Sequence, residues 1–325
     1  MTGAAALHPP HSDSGLHLTH QALIYRSDEE FLAATVPFCR DGLDQEDAVL
    51  AVTTHTNIDL LRQALGDAAR QVEFIDADEW YKAPGRTLGA YYRYVDQHTA
   101  DGRHRRVRVI GEPVWHGRDP LEQTEWTRYE AAINVAFVDC PAWIVCPYDT
   151  RALPEDVVDD ARRTHPELVT GPEAHTSVQY DPPDTAGSPW ERRLSPVTAD
   201  GEEAVLHFGP DLSVVRAFIA DRAASLGMSG SSEQRLVFAV NEVATNAVQH
   251  GGGSGQVTLR RSGHRIVCDI TDPNRGTVDW YFGYLPPGPE QPRGHGLWVV
   301  RQLCDLVEID PGPESTTVRL HLSLA

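Results

Sequence analysis

The chain has 325 residues, with 28 Lys or Arg against 47 Asp or Glu, so its formal net charge is −19 at pH 7. At roughly 150 residues per domain, this length favours two domains over one. A surface this acidic repels nucleic-acid phosphates and anionic membranes, which argues against both as the main partner. Hydrophobic residues make up 41% of the chain, enough to build real cores, so wholesale disorder is excluded.

The first residues and the cysteines bear on where the protein resides. The stretch MTGAAALHPPHSDSG has neither a basic start nor an apolar core, so it does not match a secretory signal. No apolar stretch approaches the roughly 20 residues that a membrane helix needs. The cysteines are odd in number and lack the paired CxxC spacing of zinc sites: Cys39, Cys140, Cys146, Cys268 and Cys304. We therefore expect buried thiols in a reducing cytoplasm.

The N-terminal half alternates short apolar runs with helical periodicity. The run AVLAVT at 48–53 has no polar alternation, which is typical of a strand buried on both faces. Ile58, Leu61 and Leu65 share one helical face, and Asn57 just before them is predicted to cap that helix. Further strands are predicted at 107–110 and 143–146, and further helices at 86–98 and 122–136. This alternation predicts an α/β domain with a parallel sheet.

Composition changes indicate the domain boundaries. Residues 1–16 are small, polar and proline-bearing, and are predicted to be a flexible lead. From 181 to 200 the chain reads DPPDTAGSPWERRLSPVTAD, whose prolines and small residues do not suit a regular element. We therefore predict an interdomain linker at 183–200, with one domain at 17–182 and a second at 201–325.

The C-terminal half combines helices with strands that follow one another, which predicts an α+β domain. Asp211 or Ser213 can cap its first helix, and Gly227 closes that helix near Leu226. Two further helices are predicted at 232–250 and 296–304. The strands are predicted at 204–208, 255–261, 265–271, 306–309 and 316–322.

A polar ladder lies on the second of these helices. In NEVATNAVQH, the side chains of Glu242, Asn246 and His250 are spaced i, i+4 and i+8, so they lie one above another on a single face. Such a ladder can be a solvated stripe. Asn, however, is a poor helix former, and one in mid-helix needs a reason such as contact with a ligand or metal.

Two further segments contain residues suited to nucleotide binding. Asp272 follows the strand CDIT, and a carboxylate at a buried strand end can accept a hydrogen bond from an exocyclic amine. Behind it, Asn274 and Gly276 provide backbone that permits close ligand approach. Gly294 and Gly296 lead directly into a helix whose exposed N–H groups and positive dipole end suit phosphates. Each feature alone is unspecific, since glycines before a helix usually form only a turn.

In this order, the three segments resemble the GHKL-type ATPase fold shared by histidine kinases, gyrase and anti-sigma-factor serine kinases. The ExxxN of Glu242–Asn246 is similar to the N box of that family. Asp272 with Gly276 is similar to the DxGxG box, and Gly294-His295-Gly296-Leu297 is similar to the GxGL box. The resemblance covers about the last 125 residues, the span of one such domain.

The resemblance implies a two-layer α+β Bergerat fold that binds ATP with Mg²⁺. It implies that Asn246 holds Mg²⁺ on the phosphates, that Asp272 reads the adenine amine and that Glu242 is the general base. Residues 277–293 would form the ATP lid, and Thr317 would lie near the adenine. The residues expected to bind the cofactors are Asn246, His250, Asp272, Asn274, Gly276, Gly294, His295, Gly296, Leu297 and Thr317.

The sequence departs from the family pattern at one position. Asn274 stands where the first glycine of the DxGxG box is expected. Asn tolerates left-handed backbone conformations better than other side chains, so we expect nucleotide binding to survive in a weakened form. With Asn274 at this position, the sequence does not determine whether the domain retains kinase activity.

The stretches HFGPDLSVVRAFI and RGHGLWVVRQLCDLVEI make this half similar to actinobacterial anti-sigma regulatory ATPases. That resemblance implies a regulator that binds or phosphorylates a partner on Ser or Thr, the partner being a sigma factor or an anti-anti-sigma factor. A homodimer is an option, because related ATPase domains dimerise.

A sensor histidine kinase is disfavoured, because the linker stands where a phospho-acceptor hairpin would precede the ATPase domain. A non-catalytic sequestration module, a histidine-kinase relative without that hairpin and a lone ATP hydrolase stay open as alternatives.

The N-terminal half resembles a second family, the MEDS sensory domain. HQALIYRSDEEF, VRVIGEPVWHG, EWTRYEAAINVAF and WIVCPYDTRAL follow one another in the order of that domain over nearly all of 18–182. The segment GLDQEDAVLAVTTHTNIDLLRQAL also has the layout of a RecA-like strand, loop and helix. Its loop has neither the glycines nor the lysine that cradle phosphates. We therefore predict a degenerate RecA-like parallel sheet that is used for sensing or docking.

Polar and aromatic residues of this half are candidates for a sensory pocket, because ligands bind at the strand ends of such sheets. The candidates are His20, Tyr25, His55, Glu112, Trp115, Tyr148, Asp149 and His165. Each also has an ordinary structural explanation, and Asp149 with Arg151 can be a local ion pair. His20, His55 and His165 could bind a metal, but nothing in their spacing signals it.

Two further groups are expected to have structural roles only. Trp80, Tyr81, Trp126 and Tyr129 are expected in the core. Arg105, Arg106 and Arg108 form a short basic run in an acidic chain, and are expected to be a solvated strand edge.

Overall fold

The computed structural model describes residues 17–171, 173–185, 188–191, 193–273, 279–284, 295–312 and 314–324. The flexible lead predicted for 1–16 lies outside these residues. The chain divides into two compact units, of which one comprises Met1–Lys82 and Ala90–Pro189 and the other Ala83–Gly89 and Trp190–Ala325. Among the described residues, no helix combines the length and the apolar character needed to cross a bilayer.

The first unit is an α/β domain built on a seven-stranded sheet. Its strands are β1 (Thr19–Tyr25), β2 (Ala48–Thr53), β3 (Glu73–Asp76), β4 (Val107–Gly111), β5 (Ala142–Asp149), β6 (Glu167–Thr170) and β7 (Glu173–Thr176). Its helices are α1 (Asp28–Asp44), α2 (His55–Leu65), α3 (Ala77–Trp80), α4 (Pro84–Thr99), α5 (Pro120–Ala136) and α6 (Glu155–Thr164), and a 3-10 helix covers Gly66–Gln71. The first residues of α4, up to Gly89, belong to the second unit.

The strand order of this sheet is β3-β2-β4-β5-β1-β6-β7. Neighbouring strands from β3 to β6 are parallel, and β7 at the edge runs antiparallel to β6. Parallel neighbours need a crossover rather than a tight turn, which is why helices alternate with these strands. The strands predicted at 48–53, 107–110 and 143–146 are confirmed as parts of β2, β4 and β5, and every residue of β2 and β4 is buried. The predicted α/β domain with a parallel sheet is confirmed.

The cap of α2 differs from the sequence prediction. The helix begins at His55, and its N-cap is Thr54, whose hydroxyl accepts a hydrogen bond from the backbone N of Asn57 at 3.3 Å. Asn57 lies inside the first turn and is buried. Because the threonine hydroxyl satisfies the open N–H group of the helix end, the Asn57 side chain is released for contacts in the interior.

The basic run at 105–108 is not solvated throughout. Arg108 on β4 is only 3% exposed, and its Nε donates to Oδ2 of Asp47 at 2.8 Å. Its Nη1 donates to the carbonyl oxygen of Phe38 at 3.1 Å, and its guanidinium carbon lies 4.7 Å from the ring centroid of Trp143. The expectation of a solvated edge is wrong for Arg108, because a carboxylate, a carbonyl and an aromatic face together compensate the buried charge.

The prediction of buried thiols is confirmed. All of the cysteines are buried and free: Cys39, Cys140, Cys146, Cys268 and Cys304. Burial raises the pKa of Cys39 and that of Cys140 to about 12, so both thiols stay protonated near neutral pH.

The second unit packs three helices against a five-stranded antiparallel sheet, which confirms the predicted α+β domain. The sheet order is β11-β12-β10-β9-β8. Its strands are β8 (Ala204–Phe208), β9 (Gly255–Ser262), β10 (Arg265–Asp272), β11 (Leu306–Pro311) and β12 (Thr316–Ser323). Its helices are α7 (Ser213–Ser225), α8 (Gly230–His250) and α9 (His295–Leu303).

Helix α8 lies at the centre of the second core. Its apolar positions recur at helical spacing and are buried: Leu236, Ala239, Val240, Val243, Ala244 and Ala247. They pack with inward-facing strand residues such as Val257, Ile270 and Leu320. Because these positions fix which face of α8 meets the sheet, residues 242 and 246 are left half-buried at the border of that face.

Replacing Arg108 with Met should destabilise the first unit, because the buried carboxylate of Asp47 would lose its cation. We expect the free energy of unfolding, measured by urea denaturation of the full chain, to fall by about 3–5 kcal/mol. The exposed Arg105 provides the control, and Arg105→Met should change this free energy by less than about 0.5 kcal/mol. Equal losses in the two variants would contradict the importance of the ion pair.

Candidate functional site

Two polar residues of α8 face the start of α9. A Cβ atom added at Gly296 would lie 3.3 Å from Oε2 of Glu242 and 3.5 Å from Nδ2 of Asn246. The i, i+4 spacing aligns the two side chains on α8, and the missing side chain at Gly296 lets the first turn of α9 come close to them. Glu242 and Asn246 of one predicted motif therefore lie together with Gly296 of another.

The end of α8 lies against the carboxylate of Asp272. A Cβ atom at Gly251 would lie 1.9 Å from Oδ2 of Asp272, so glycine is required at this contact. The backbone N of Gly252 donates to Oδ1 of Asp272 at 3.3 Å. Since Asp272 is the last residue of β10, the C-terminal end of the helix meets the end of the central strand here.

The pairing of β10 with β12 brings Thr317 to the same strand end. Thr317 lies opposite Thr271, directly beside the pair formed by Asp272 and Thr316. The hydroxyl oxygens of Thr271 and Thr317 are 3.0 Å apart. Thr317 is therefore one residue pair away from Asp272, and its place near the adenine stays a prediction.

The other residues predicted for this site have different environments. His250 is exposed in the last turn of α8, and His295 is exposed at the start of α9. Leu297 is buried in the core of the unit. The remaining residues predicted here lie outside the described part of the chain: Asn274, Gly276 and Gly294.

Part of the predicted lid, residues 279–284, is described, and Arg301 of α9 holds it. Nε of Arg301 donates to the carbonyl oxygen of Phe282 at 2.9 Å, and Nη2 donates to that of Trp280 at 3.0 Å. The guanidinium carbon lies 3.9 Å from the ring centroid of Tyr284. Sequence reasoning missed Arg301, although an arginine that directly follows the apolar run LWVV in the same short helix is a signal that a buried partner exists.

The residues that meet at this site fit an adenine nucleotide with a hard cation. Glu242 and Asn246 present side-chain oxygens, the ligand type that Mg²⁺ prefers. The first turn of α9 presents backbone N–H groups, which suit phosphate oxygens. Asp272 presents acceptor oxygens at the strand end, the group that an exocyclic amine needs.

The first unit has a cavity of about 640 Å³ at the carboxyl ends of its parallel strands. Its wall includes Tyr25 from the end of β1, Asp149 from the end of β5 and Glu112 directly after β4. His55 and Trp115 also line it. These sequence candidates therefore meet at the position where parallel sheets usually bind ligands.

Glu112 is the centre of a buried hydrogen-bond network in this cavity. Its Oε2 accepts from Nδ2 of Asn57 at 2.9 Å, from the backbone N of Thr54 at 3.2 Å and from the hydroxyl of Thr53. The Tyr25 hydroxyl accepts from Nδ2 of Asn57 at 3.1 Å and donates to Oε1 of Glu112 at 3.4 Å. Burial, together with the charge of Glu112, raises the pKa of Tyr25 well above its ordinary value, so this hydroxyl remains a donor.

His20, Tyr148 and His165 do not line this cavity, so the predicted sensory residues do not form one pocket. His20 and His165 are buried beside Glu130 and Cys146, and the ring centroids of the two histidines are 4.1 Å apart. Tyr148 is buried next to them, with its ring centroid 5.7 Å from that of His165. Burial, reinforced by the neighbouring His20, lowers the pKa of His165 to about 4, so its ring is neutral near pH 7.

Sequence reasoning missed several residues of these two sites. The sequence predicts Asn57 as a helix cap, whereas in the structure its side chain donates to Glu112 and Tyr25. Glu130 and Cys146 lie within a helix and a strand whose neighbours are mostly apolar, and the strand order that brings Cys146 beside His20 is not visible in the sequence.

Two of the ordinary explanations are confirmed. Nη2 of Arg151 lies 2.8 Å from Oδ2 of Asp149, so these residues do form a local ion pair. Tyr81, Trp126 and Tyr129 are buried, as expected of core residues, and Trp80 is half-buried.

Comparison with known proteins assigns a family to each unit. The MEDS family, described as "MEthanogen/methylotroph, DcmR Sensory domain", matches residues 19–166. The family described as "Histidine kinase-like ATPase domain" matches residues 210–322. No curated protein matches the chain.

One similar solved structure contains the RsbU and RsbW domains of a protein from Mycobacterium tuberculosis. Its sequence identity is 22%, over 37% of this chain and 32% of that chain, with a TM-score of 0.28. The match therefore spans about a third of that chain.

The two family matches coincide with the two sets of residues described above. The first match contains the Glu112 cavity and the buried cluster around Glu130. The second contains the Glu242–Asn246 pair, Asp272 and Gly296. The chain therefore contains a MEDS domain at 19–166 and, after it, a histidine kinase-like ATPase domain of the GHKL type at 210–322.

Proposed function

We propose that this protein is a cytoplasmic anti-sigma-type regulator. Its ATPase domain binds ATP with Mg²⁺ and binds or phosphorylates a partner protein on serine or threonine, under control of the MEDS domain. The observation that carries the proposal is the convergence of Glu242 and Asn246 on the first turn of α9, with Asp272 held at the end of the same helix α8. We also propose that the MEDS domain extends over 17–182 and the ATPase domain over 201–325, with a linker at 183–200 between them.

Each residue of the site has a role that its chemistry supports. The side-chain oxygen of Asn246 would hold Mg²⁺, and the backbone N–H groups at the start of α9 would bind phosphate oxygens. Asp272 would accept a hydrogen bond from the exocyclic amine of the base. ATP with Mg²⁺ supplies a phosphoryl group whose charge the metal neutralises. Glu242 would take the proton of the attacking hydroxyl.

The partner class rests on the resemblance to anti-sigma regulatory ATPases and on charge. A net charge of −19 favours a partner with a basic surface, since opposite charge steers association. A sigma factor is such a partner, and an anti-anti-sigma factor is the candidate that receives phosphate. Phosphorylation would switch partners because it adds negative charge to an interface.

A non-catalytic sequestration module is the second candidate. In that case the nucleotide is a structural ligand or is not bound, and the protein regulates its partner by stoichiometric binding. Asn274 at the first glycine of the DxGxG box favours this alternative over a fully active kinase.

Asp272→Ala should weaken the binding of ATP with Mg²⁺, because the hydrogen bond to the adenine amine would be lost. Isothermal titration calorimetry should show a Kd at least about tenfold higher than that of the wild type, the cost of a hydrogen bond to a charged group. Asp221→Ala removes an exposed aspartate of α7 and should leave the Kd unchanged. Unchanged binding in Asp272→Ala would contradict the assignment of the site.

Gly251→Ala should have a similar effect without removing any polar group. The added methyl would lie 1.9 Å from Oδ2 of Asp272 and must displace the carboxylate. We expect weaker ATP binding by calorimetry while the circular-dichroism spectrum stays that of the folded chain. Gly209→Ala is the matched control, because nothing lies within 4 Å of its added Cβ atom. Equal ATP affinity in both glycine variants would argue against a role of the Gly251 contact in binding.

Glu242→Ala should separate catalysis from binding. Transfer of radiolabelled γ-phosphate to a candidate anti-anti-sigma factor, followed on filters, should fall by about 10²–10⁴-fold, the usual effect of removing a general base. ATP affinity should stay within a few-fold of the wild type. Glu233→Ala, in the first turn of the same helix, should transfer phosphate normally.

The alternatives give different results in the same assay. If Glu242→Ala regulates the partner normally while it still binds nucleotide, the kinase proposal fails and sequestration is supported. Release of phosphate by the wild type at full rate without any partner would instead identify a hydrolase that acts alone.

A further inference from the structure

Four buried side chains of the first unit converge on one point. His20 lies on β1, Glu130 on α5, Cys146 on β5 and His165 directly after α6, and none is more than 3% exposed. One ligand atom from each residue lies within 4.8 Å of all the others. Because four different elements supply these residues, the fold and not a local motif assembles the cluster.

Three of the six distances between ligand atoms match the edges of a metal tetrahedron, and the other three are at most 4.8 Å. The Nε2 atoms of His20 and His165 lie 3.5 Å and 3.4 Å from Oε2 of Glu130. Sγ of Cys146 lies 3.5 Å from Nε2 of His20. Around zinc, bonds of about 2.0 Å to nitrogen or oxygen and about 2.3 Å to sulfur give tetrahedral edges of roughly 3.3–3.6 Å. One ion could therefore contact these atoms with little movement of the side chains.

Hydrogen bonds outside the cluster fix the positions of the imidazole protons. Nδ2 of Asn134 donates to the carbonyl oxygen of Thr164 at 2.8 Å, so Oδ1 of Asn134 faces Nδ1 of His20 at 3.0 Å and accepts from it. Nδ1 of His165 lies 2.8 Å from the carbonyl oxygen of Ala161, which can only accept. Each ring therefore has a proton on Nδ1 and directs its Nε2 into the cluster, the arrangement typical of metal-bound histidines.

The cluster contains polar atoms that other described residues do not satisfy. Across the described part of the chain, both carboxylate oxygens of Glu130 and Nε2 of His165 are buried without a well-aligned hydrogen bond, and only the other members of the cluster lie next to that carboxylate. A buried carboxylate in this state is costly unless a positive charge compensates it. A divalent cation held by the Glu130 carboxylate and a Cys146 thiolate gives no net charge, which suits a buried position.

We propose that His20, Glu130, Cys146 and His165 bind one divalent metal ion of the zinc type. Imidazole and thiolate ligands favour zinc and its neighbours over Mg²⁺ and Ca²⁺, which take oxygen ligands. When the ion binds, the Cys146 thiol loses its proton to solvent. Four protein ligands complete the coordination, which is typical of structural zinc sites rather than catalytic ones.

A surface cavity lies beside this site, and the proposed ligands lie outside the proposed nucleotide site. A surface cavity of about 240 Å³ is lined by His20 and Asn134, so it reaches the edge of the cluster. The metal ligands all belong to the first unit, and the proposal does not depend on ATP binding by the second.

The test uses the full-length chain, stripped with a chelator and then loaded with Zn²⁺ or Co²⁺. We expect one equivalent of either metal per chain by elemental analysis, and a near-ultraviolet thiolate-to-cobalt charge-transfer band with Co²⁺. Cys146→Ser should abolish this band. Cys39→Ser, which changes another buried cysteine of the same unit, should retain it.

Asn134→Leu tests the positioning of His20 rather than direct ligation. Removing the acceptor for Nδ1 of His20 should lower Co²⁺ affinity about 10–100-fold, while the charge-transfer band persists at saturation. A purely structural role for Asn134 would change stability without changing metal affinity.

Several results would overturn the proposal. One is a folded wild-type chain that takes up neither Zn²⁺ nor Co²⁺, and another is a charge-transfer band that survives in Cys146→Ser. Glu130→Gln provides a second, nearly isosteric variant if Cys146→Ser does not fold. Undiminished metal content in Glu130→Gln would show that the ion binds elsewhere.

Discussion

A polar group that is buried must find a partner, and this requirement organises the first unit from the inside. Arg108 and Asp47 form an ion pair that is almost completely buried. Glu112 draws donors from the ends of β2 and β1 and from the first turn of α2. The Glu130 cluster joins two strands and two helical segments around one carboxylate. The contacts of each buried acid thus determine which strands and helices lie next to one another. The packing of the apolar core is not directional and does not determine this by itself.

In the second unit, the arrangement of the polar residues depends on how closely neighbouring segments approach helix α8. The apolar face of α8 fixes its rotation on the sheet, so Glu242 and Asn246 lie at the border of the core. Gly251 allows the Asp272 carboxylate to come closer than any side chain would permit, and Gly296 leaves room for the close approach of α9 to Glu242 and Asn246. The packing of α8 therefore orients the polar side chains of the proposed nucleotide site, and the two glycines allow the neighbouring groups to come close to them.

The sequence predicted several elements whose buried residues are mostly apolar, and it missed β1, some of whose buried residues are polar. The uninterrupted apolar runs of β2 and β4 and the long periodic helix α8 were predicted correctly. The strand β1 was not predicted, because THQALIY contains His20 and Gln21, both of which are buried with polar partners. Arg108 was assigned to solvent for the same reason, since a charge near a strand end looks exposed until its partner is known.

By itself, the sequence determined which motifs of the ATPase half are candidates for nucleotide binding, because they follow one another in a recognisable order. It further determined that Glu242 and Asn246 share one face of a helix, because they are four residues apart. It also determined the α/β and α+β classes, since periodicity is a local property. Only the tertiary structure decided which histidines share a site. His20 and His165 meet Glu130 and Cys146 while His55 lines a separate cavity, because a parallel sheet places strands side by side that are distant in the chain.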